Sequence, residues 1–270
     1  MFADLSHLHK QQDLKVDTGD EAICDITEVS DTRLLVTVLG GRKVMLVDSQ
    51  TGGTVAQHTL QDYPYRVCMW ENNTAVVTLH NKKVQFININ GDSLQLGRSF
   101  SVNGDVRGVG RSGDMLIVSN ESPPWLEVLA TDGRVMHTFS NKAAGRDVFQ
   151  RPYYIATSTN GMVYVSDGGN STITQLDMNL RVTRTYSDSI LQGPRGIIAV
   201  SADHVLVCSH SNHRILLLCP STGVITSILG HQDGIHRPYA LTFSPSQRKL
   251  YVVPHGGSGR IQVFQQQLMT

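Results

Sequence analysis

Five aromatic and basic residues recur at a regular interval along this 270-residue chain, and their types set the chemistry open to it. Tyr65, Arg107, Tyr153, Arg195 and Tyr239 stand about forty residues apart, with Cys24 one interval ahead of them. A phenol ring offers a flat apolar face with a hydroxyl tip, and a guanidinium offers a planar cation. Together they suit hot-spot contacts with a polypeptide, or stacking and phosphate contacts with single-stranded RNA. Arg66 follows Tyr65 directly, Arg151 and Arg237 shortly precede Tyr153 and Tyr239, and the turns that carry Arg42-Lys43, Lys82-Lys83, Arg214 and Arg260 are expected beside the same residues. Acids close to them are fewer (Asp25, Asp62, Asp105, Glu121 and Asp167), so one electropositive face is expected on a chain whose 23 basic and 23 acidic residues cancel.

Eleven histidines raise the question of a metal. His80, His210, His213 and His255 fall in expected turns, with His231 and His236 ahead of the last of them. A zinc enzyme needs three convergent imidazoles and an open fourth position. These histidines fall at different places in their turns, so no convergence is expected, and no catalytic residue, metal ligand or cofactor is assigned. Gly108-Val109-Gly110-Arg111-Ser112-Gly113 matches a dinucleotide fingerprint by letters, but no helix pattern follows it. No nucleophile elbow and no P-loop occurs. Asp167 reads as a turn-stabilising carboxylate. In Pro123-Pro124-Trp125 the aromatic is either a contact point or core.

The elements that must carry these residues follow from a nine-residue frame found six times: Val36–Val44, Val76–Val84, Val118–Leu126, Val165–Ile173, Val207–Ile215 and Val253–Ile261. Each opens and closes on an aliphatic residue, with Gly, Asn, Ser, His or Pro between, which reads as two strands and a turn. An apolar strand precedes each frame from the second onward, and a more polar one follows most of them. Four strands per repeat, running from apolar to polar, suit a radial blade. No sustained helical period occurs. The reading is all-β: one six-bladed propeller of four-stranded antiparallel blades spanning 1–270. The blades fall near 22–62, 63–103, 104–147, 148–191, 192–235 and 236–266, and an N-terminal strand near 13–18 completes the last one and hides two sheet edges. Aligned by innermost strand, the blades bring Cys24, Tyr65, Arg107, Tyr153, Arg195 and Tyr239 round one mouth of the channel.

Composition excludes other classes. With 40% hydrophobic and 17% charged residues the chain is neither disordered nor a coiled coil. No apolar stretch is long enough to span a bilayer, and Met1–Asp20 has no apolar leader segment. Four cysteines without a C-x-x-C pair read as buried thiols of a reducing compartment, so a cytoplasmic protein off the membrane is expected, and an isolated domain without a coiled coil is expected to be monomeric.

The frames VSDGGNSTI and VCSHSNHRI, the latter carrying Asn212-His213-Arg214-Ile215, resemble the NHL repeat. So do the lead-ins Arg151-Pro152-Tyr153-Tyr154-Ile155, Gly193-Pro194-Arg195-Gly196-Ile197 and Arg237-Pro238-Tyr239. The chain is similar over nearly its whole length to the C-terminal propeller of the tripartite-motif (TRIM-NHL) proteins. That resemblance implies a non-enzymatic module that recognises the protein partner or target of a ubiquitin ligase, the ligase activity lying in RING and B-box parts absent from this chain. The ligand-binding residues would be Tyr65, Arg66, Arg107, Tyr153, Arg195 and Tyr239. Two alternatives remain: a propeller reading single-stranded or loop RNA, and a metal-dependent enzyme. The second is raised by the similar peptidyl-hydroxyglycine lyases, which hold zinc through three histidines near the axis.

Overall fold

The repeats close into a ring of six antiparallel sheets. In the computed structural model, which describes residues 5, 7–145 and 147–267, blade 1 runs outward from the axis as Ile23–Ser30, Arg33–Val38, Lys43–Asp48 and Thr54–Thr59. Blades 2 to 5 begin with the innermost strands Pro64–Glu71, Val106–Ser112, Pro152–Thr157 and Pro194–Ser201, each followed by three more strands. Blade 6 consists of Pro238–Ser244, Lys249–Pro254 and Arg260–Gln266, with Leu8–Lys10 as its outer strand. The fold is therefore an all-β six-bladed propeller closed by an N-terminal strand. Among the described residues, helix is confined to Asn141–Ala144 and a 3-10 turn at His231–Asp233.

The burial gradient explains the strand types. Second strands pack between neighbouring blades on both faces, so they read as continuous apolar runs such as Leu34–Val36, Ala75–Val77 and Leu250–Val253, all buried. Outer strands face solvent, leaving Leu96, Val135, Met136 and Val224 exposed. Because such runs do not alternate, the letters do not fix their register. Val36, Val118, Val165 and Val207 lie opposite Ile26, Val109, Ile155 and Ile197. In blades 2 and 6 the equivalent residues are Val77, opposite Val67, and Val252, opposite Leu241. The frame read from sequence therefore slips by one residue in those two blades.

Closure also differs from the sequence reading. The N-terminal segment pairs with Arg260–Gln266 as two short pieces, Leu8–Lys10 and Leu14–Lys15, rather than one strand near 13–18. Register shifts by one between Lys10, opposite Phe264, and Leu14, opposite Ile261, which makes a bulge at 11–13. Asp13 turns out of that bulge to pair with Arg260 (2.6 Å) and Lys10 (3.3 Å). Burial of Leu5 and Leu8 against blades 5 and 6 pulls the start of the strand earlier.

Buried hydroxyls set the angular step from blade to blade. Thr37 donates to the carbonyl of Tyr65 (3.2 Å), Thr78 to that of Arg107 (2.9 Å) and Ser119 to that of Pro152 (2.9 Å). Thr78 and Ser119 also accept from the Arg66 and Gly108 amides of their own blades. Thr78 and Ser119 thus each pair edge groups of two adjacent innermost strands that burial would otherwise leave unsatisfied. The first two glycines of the dinucleotide-like letters serve the same packing: a Cβ on Gly108 would meet Ser119 Oγ at 2.5 Å, and one on Gly110 would meet Ile155 Cγ2 at 2.7 Å.

Candidate binding mouth

Each innermost strand starts at the same mouth, so its first side chains stand in a ring. Arg107 lies over the Tyr65 ring at 4.0 Å and Arg195 over Tyr153 at 3.9 Å, with Tyr239 5.9 Å from Arg195 on its other side. The Tyr–Arg alternation is thus a set of stacked cation–π pairs. Stacking also buries the phenols: Tyr65 and Tyr153 are only 7% and 8% exposed. Burial pushes the Tyr65 hydroxyl up to about 12, so it stays protonated as a donor.

Arg66 is not at the surface. It is 4% exposed and points into the channel, where its guanidinium packs on Tyr154 at 3.7 Å. It donates to the carbonyl of Cys24 (3.0 Å) and to the Tyr239 hydroxyl (3.2 Å). Asp25 lies beside it, 6% exposed, accepting from the Val67 amide at 2.9 Å. Burial raises the Asp25 carboxyl to about 6 against the opposing pull of Arg66 and the Val67 and Ile26 amides. Arg66, Tyr154 and Asp25 therefore plug the channel below the mouth. Beyond the plug a funnel of about 420 Å³ opens between the innermost strands towards the other face, lined by Thr27, Cys68, Arg111, Thr157 and Thr242 among apolar residues. The plug shows in sequence only as Asp25 directly after Cys24 and as the Tyr153-Tyr154 doublet.

A second ring stands above the first. Corrected for the two register slips, the first turn residue of blades 1 to 6 is Leu39, His80, Glu121, Gly168, His210 and His255. The histidines thus occupy equivalent positions, contrary to the sequence reading, and two of them meet. The His210 and His255 rings are 5.1 Å apart, and both stand on Tyr239, at 6.4 and 5.1 Å. His80 instead sits 6.0 Å from Tyr65. Gly168 is open because the Tyr153 ring fills its place: a Cβ there would lie 2.8 Å from Cε2. A further group, His213, His231 and His236, forms outside the ring, with His213 Nδ1 accepting from the Arg237 amide (3.0 Å). Among the described residues, no three His, Cys, Asp or Glu side chains are placed to hold a metal ion.

The expected electropositive face is uneven. Glu121 pairs with Arg107 (3.5 Å) and Arg151 (3.9 Å) and accepts from the Tyr153 hydroxyl (3.1 Å), while Asp105 takes Arg107 (3.6 Å) and His80 (4.0 Å). Across the mouth, Arg195 and Arg237 make no ion pair among the described residues. Asp167 is buried and makes no ion pair among the described residues. It accepts from the amides of Gln150, Arg151, Gly169 and Asn170, which fixes the lead-in to blade 4. Trp125 is half-buried against the blade 2–3 core. Of the four free thiols, Cys24 and Cys208 are buried and Cys68 and Cys219 half-buried. No helix among the described residues is long and apolar enough to cross a membrane.

Neither a protein-family model nor a curated protein sequence matches the chain. Solved structures do. A catalytically inactive histidine-to-alanine variant of virginiamycin B lyase from Staphylococcus aureus, with quinupristin, is similar at a TM-score of 0.70 and 14% identity, covering 95% of this chain and 88% of that one. A streptogramin B lyase gives 0.71 at 13% identity, over 97% and 89%. The Cps50 (Swd1) β-propeller domain of Myceliophteria thermophila gives 0.63 at 12%, over 90% and 83%. At these identities what is shared is the propeller fold, a fold that fits binding modules in general.

Proposed function

We propose that this chain is a non-enzymatic binding module that presents the mouth ringed by Tyr65, Arg107, Tyr153, Arg195 and Tyr239 to a polypeptide partner. In this reading it is an NHL-type propeller, the target-recognition part of a TRIM-NHL-like ubiquitin ligase working in the cytoplasm. The observation that carries it is the ring itself. Guanidiniums held on phenol faces and tied into Glu121 and Asp105 form a rigid, mixed-charge surface of the residue types that dominate protein hot spots. Side chains already ordered lose little entropy on binding. The NHL-like frames at Val165–Ile173 and Val207–Ile215, with the prolines ahead of the innermost strands, support the family reading.

RNA fits this mouth less well. Stacking needs open ring faces, and those of Tyr65 and Tyr153 lie under Arg107 and Arg195. The enzyme reading rests on His210 and His255 meeting beside Tyr239 in a chain that shares its fold with lyases. Turnover of quinupristin by the purified chain would establish it in place of the binding module.

The test is affinity capture from cell extract with three forms of the chain. A partner held by the wild type and by Asp114→Lys on the opposite face, but lost from the Arg107→Glu/Arg195→Glu double variant, places binding at the mouth. A partner lost only from Asp114→Lys would place it on the other face and refute the proposal.

A further inference from the structure

The two halves of the mouth differ in what they leave unpaired. On the blade 3–4 side, Arg107 stands within ion-pair distance of Asp105 and Glu121, and Arg151 of Glu121, although Arg107 Nε and Asp105 Oδ1 make no hydrogen bond. On the blade 5–6 side, Arg195, Arg237, His210 and His255 gather with no acid paired to either arginine among the described residues. Three of these groups converge on one ring: relative to Tyr239, Arg195 lies at 5.9 Å, His210 at 6.4 Å and His255 at 5.1 Å. Arg195 Nε and His210 Nε2 are also buried without a hydrogen-bond partner. Two guanidiniums and two imidazoles are brought together here with no acid opposite them, whereas the equivalent turn position of blade 3 carries Glu121.

We infer that the blade 5–6 side of the mouth is an oxyanion site that takes a side-chain carboxylate from an acidic segment of a polypeptide partner, a step that rests on the binding-module reading above. Arg195 is prepared for this. Its plane is fixed on Tyr153, so the fork that meets a carboxylate is already oriented. His210 and His255 add donors when protonated, and Arg237 stands exposed at the rim beside them. Nucleic acid is disfavoured because the ring offers few free faces for bases, whereas a carboxylate needs only donors.

Burial and then Arg195, His255, Arg237 and His213 hold His210 down at about 4. Burial, Arg237 and Arg195 likewise hold His255 below its usual range. The groups facing this pair are thus Arg195 and Tyr239 from the innermost strands, His213 from the blade 5 turn and Arg237 from the lead-in to blade 6, all cationic or neutral. A bound carboxylate reverses the sign of that environment. Both imidazoles must then bind protons more tightly, and the peptide must bind more tightly as pH falls.

Fluorescein-labelled hexaglutamate, titrated against the whole chain and followed by anisotropy, tests this. Affinity should rise about 3- to 10-fold from pH 7.5 to 5.5. It should fall at least 10-fold in Arg195→Gln and less than 2-fold in Arg107→Gln, whose charge is already taken. In the wild type, the histidine ring protons of His210 and His255 should titrate at higher pH with peptide present, a readout that needs no variant. No binding at low salt, equal losses in the two variants, or unmoved histidines would overturn the site. So would a phosphoserine peptide of equal length binding 10-fold tighter, which would make the site one for phosphate. A chain that captures a partner at its mouth yet ignores hexaglutamate loses the oxyanion site and keeps the binding function; one that binds hexaglutamate but captures nothing does the reverse.

Discussion

Asp25 is the group whose burial has the clearest thermodynamic consequence. Its carboxyl ordinarily titrates at 3.8 and in the folded chain at about 6, because burial outweighs the attraction of Arg66 and the two amides. The folded state therefore holds the proton more tightly than the unfolded one. The stability associated with that proton is complete below about pH 4 and is lost as pH rises through 6. Each pKa unit is worth about 1.4 kcal/mol, so ionising Asp25 inside the plug costs about 3 kcal/mol by neutral pH.

Asp25→Asn isolates that cost, since the amide oxygen can still accept from the Val67 amide while carrying no charge. The linkage relation makes the variant more stable than wild type by about 0.5 kcal/mol at pH 4, rising to about 3 kcal/mol above pH 7. Urea unfolding followed through Trp70 and Trp125 fluorescence, at intervals from pH 4 to 8, measures the gap directly. Other titrating groups are common to both proteins and cancel. A gap that stays flat with pH, or a variant less stable than wild type at pH 7.5, would refute the reasoning. Either result would mean that Arg66 holds Asp25 ionised and that the plug is an ion pair stronger than its burial cost.

Four further outcomes are expected. Asp167→Ala strips the acceptor from four backbone amides around the blade 4 lead-in and should cost roughly 3–5 kcal/mol in urea unfolding. Removing residues 1–12 deletes the Leu8–Lys10 strand and bares the edge of Arg260–Gln266, so light scattering should find larger species than it finds for the full chain. A random single-stranded RNA pool should show no submicromolar binding at about 150 mM salt; tight, salt-sensitive binding abolished in the Arg107→Ala/Arg195→Ala variant would replace the polypeptide reading with an RNA reader. Glu121→Gln releases Arg107 and Arg151 from their shared acid and should strengthen hexaglutamate binding several-fold at low salt, an increase that added salt erases.

The blade count, the strand order and the identity of the inner ring were all legible in the sequence, because each depends on features that repeat. Pro64, Pro152, Pro194 and Pro238 start innermost strands in four blades, and Tyr65, Arg107, Tyr153, Arg195 and Tyr239 keep step with them. The register of the second strands was not legible. Where Ala75-Val76-Val77 or Tyr251-Val252-Val253 is buried on both faces, any of three residues can serve as the anchor. Only pairing to Val67 and Leu241 decides the matter. Arg66 leaves the ring for a related reason: it borders Tyr65 in the chain, but the pleat sends the two side chains in different directions, and that of Arg66 is buried on Tyr154.

The register slip had consequences well beyond one residue. Counted from Val76 and Val253, His80 and His255 fall at turn positions unlike that of His210, and the mouth reads as scattered histidines over a uniformly basic ring. Counted from Val77 and Val252, all three share a position with Glu121, and that position, together with Asp105 in the lead-in to blade 3, sets the charge pattern of the mouth. Where it is Glu121, the arginines next to it are neutralised and the Tyr153 hydroxyl is tied down. Where it is His210 or His255, Arg195 and Arg237 keep their charge and the imidazoles are forced towards the neutral form. Two halves of one ring, built on the same stacked tyrosines and arginines, thereby acquire different needs: one carries its own counter-charge, and the other is suited to an anion supplied from outside.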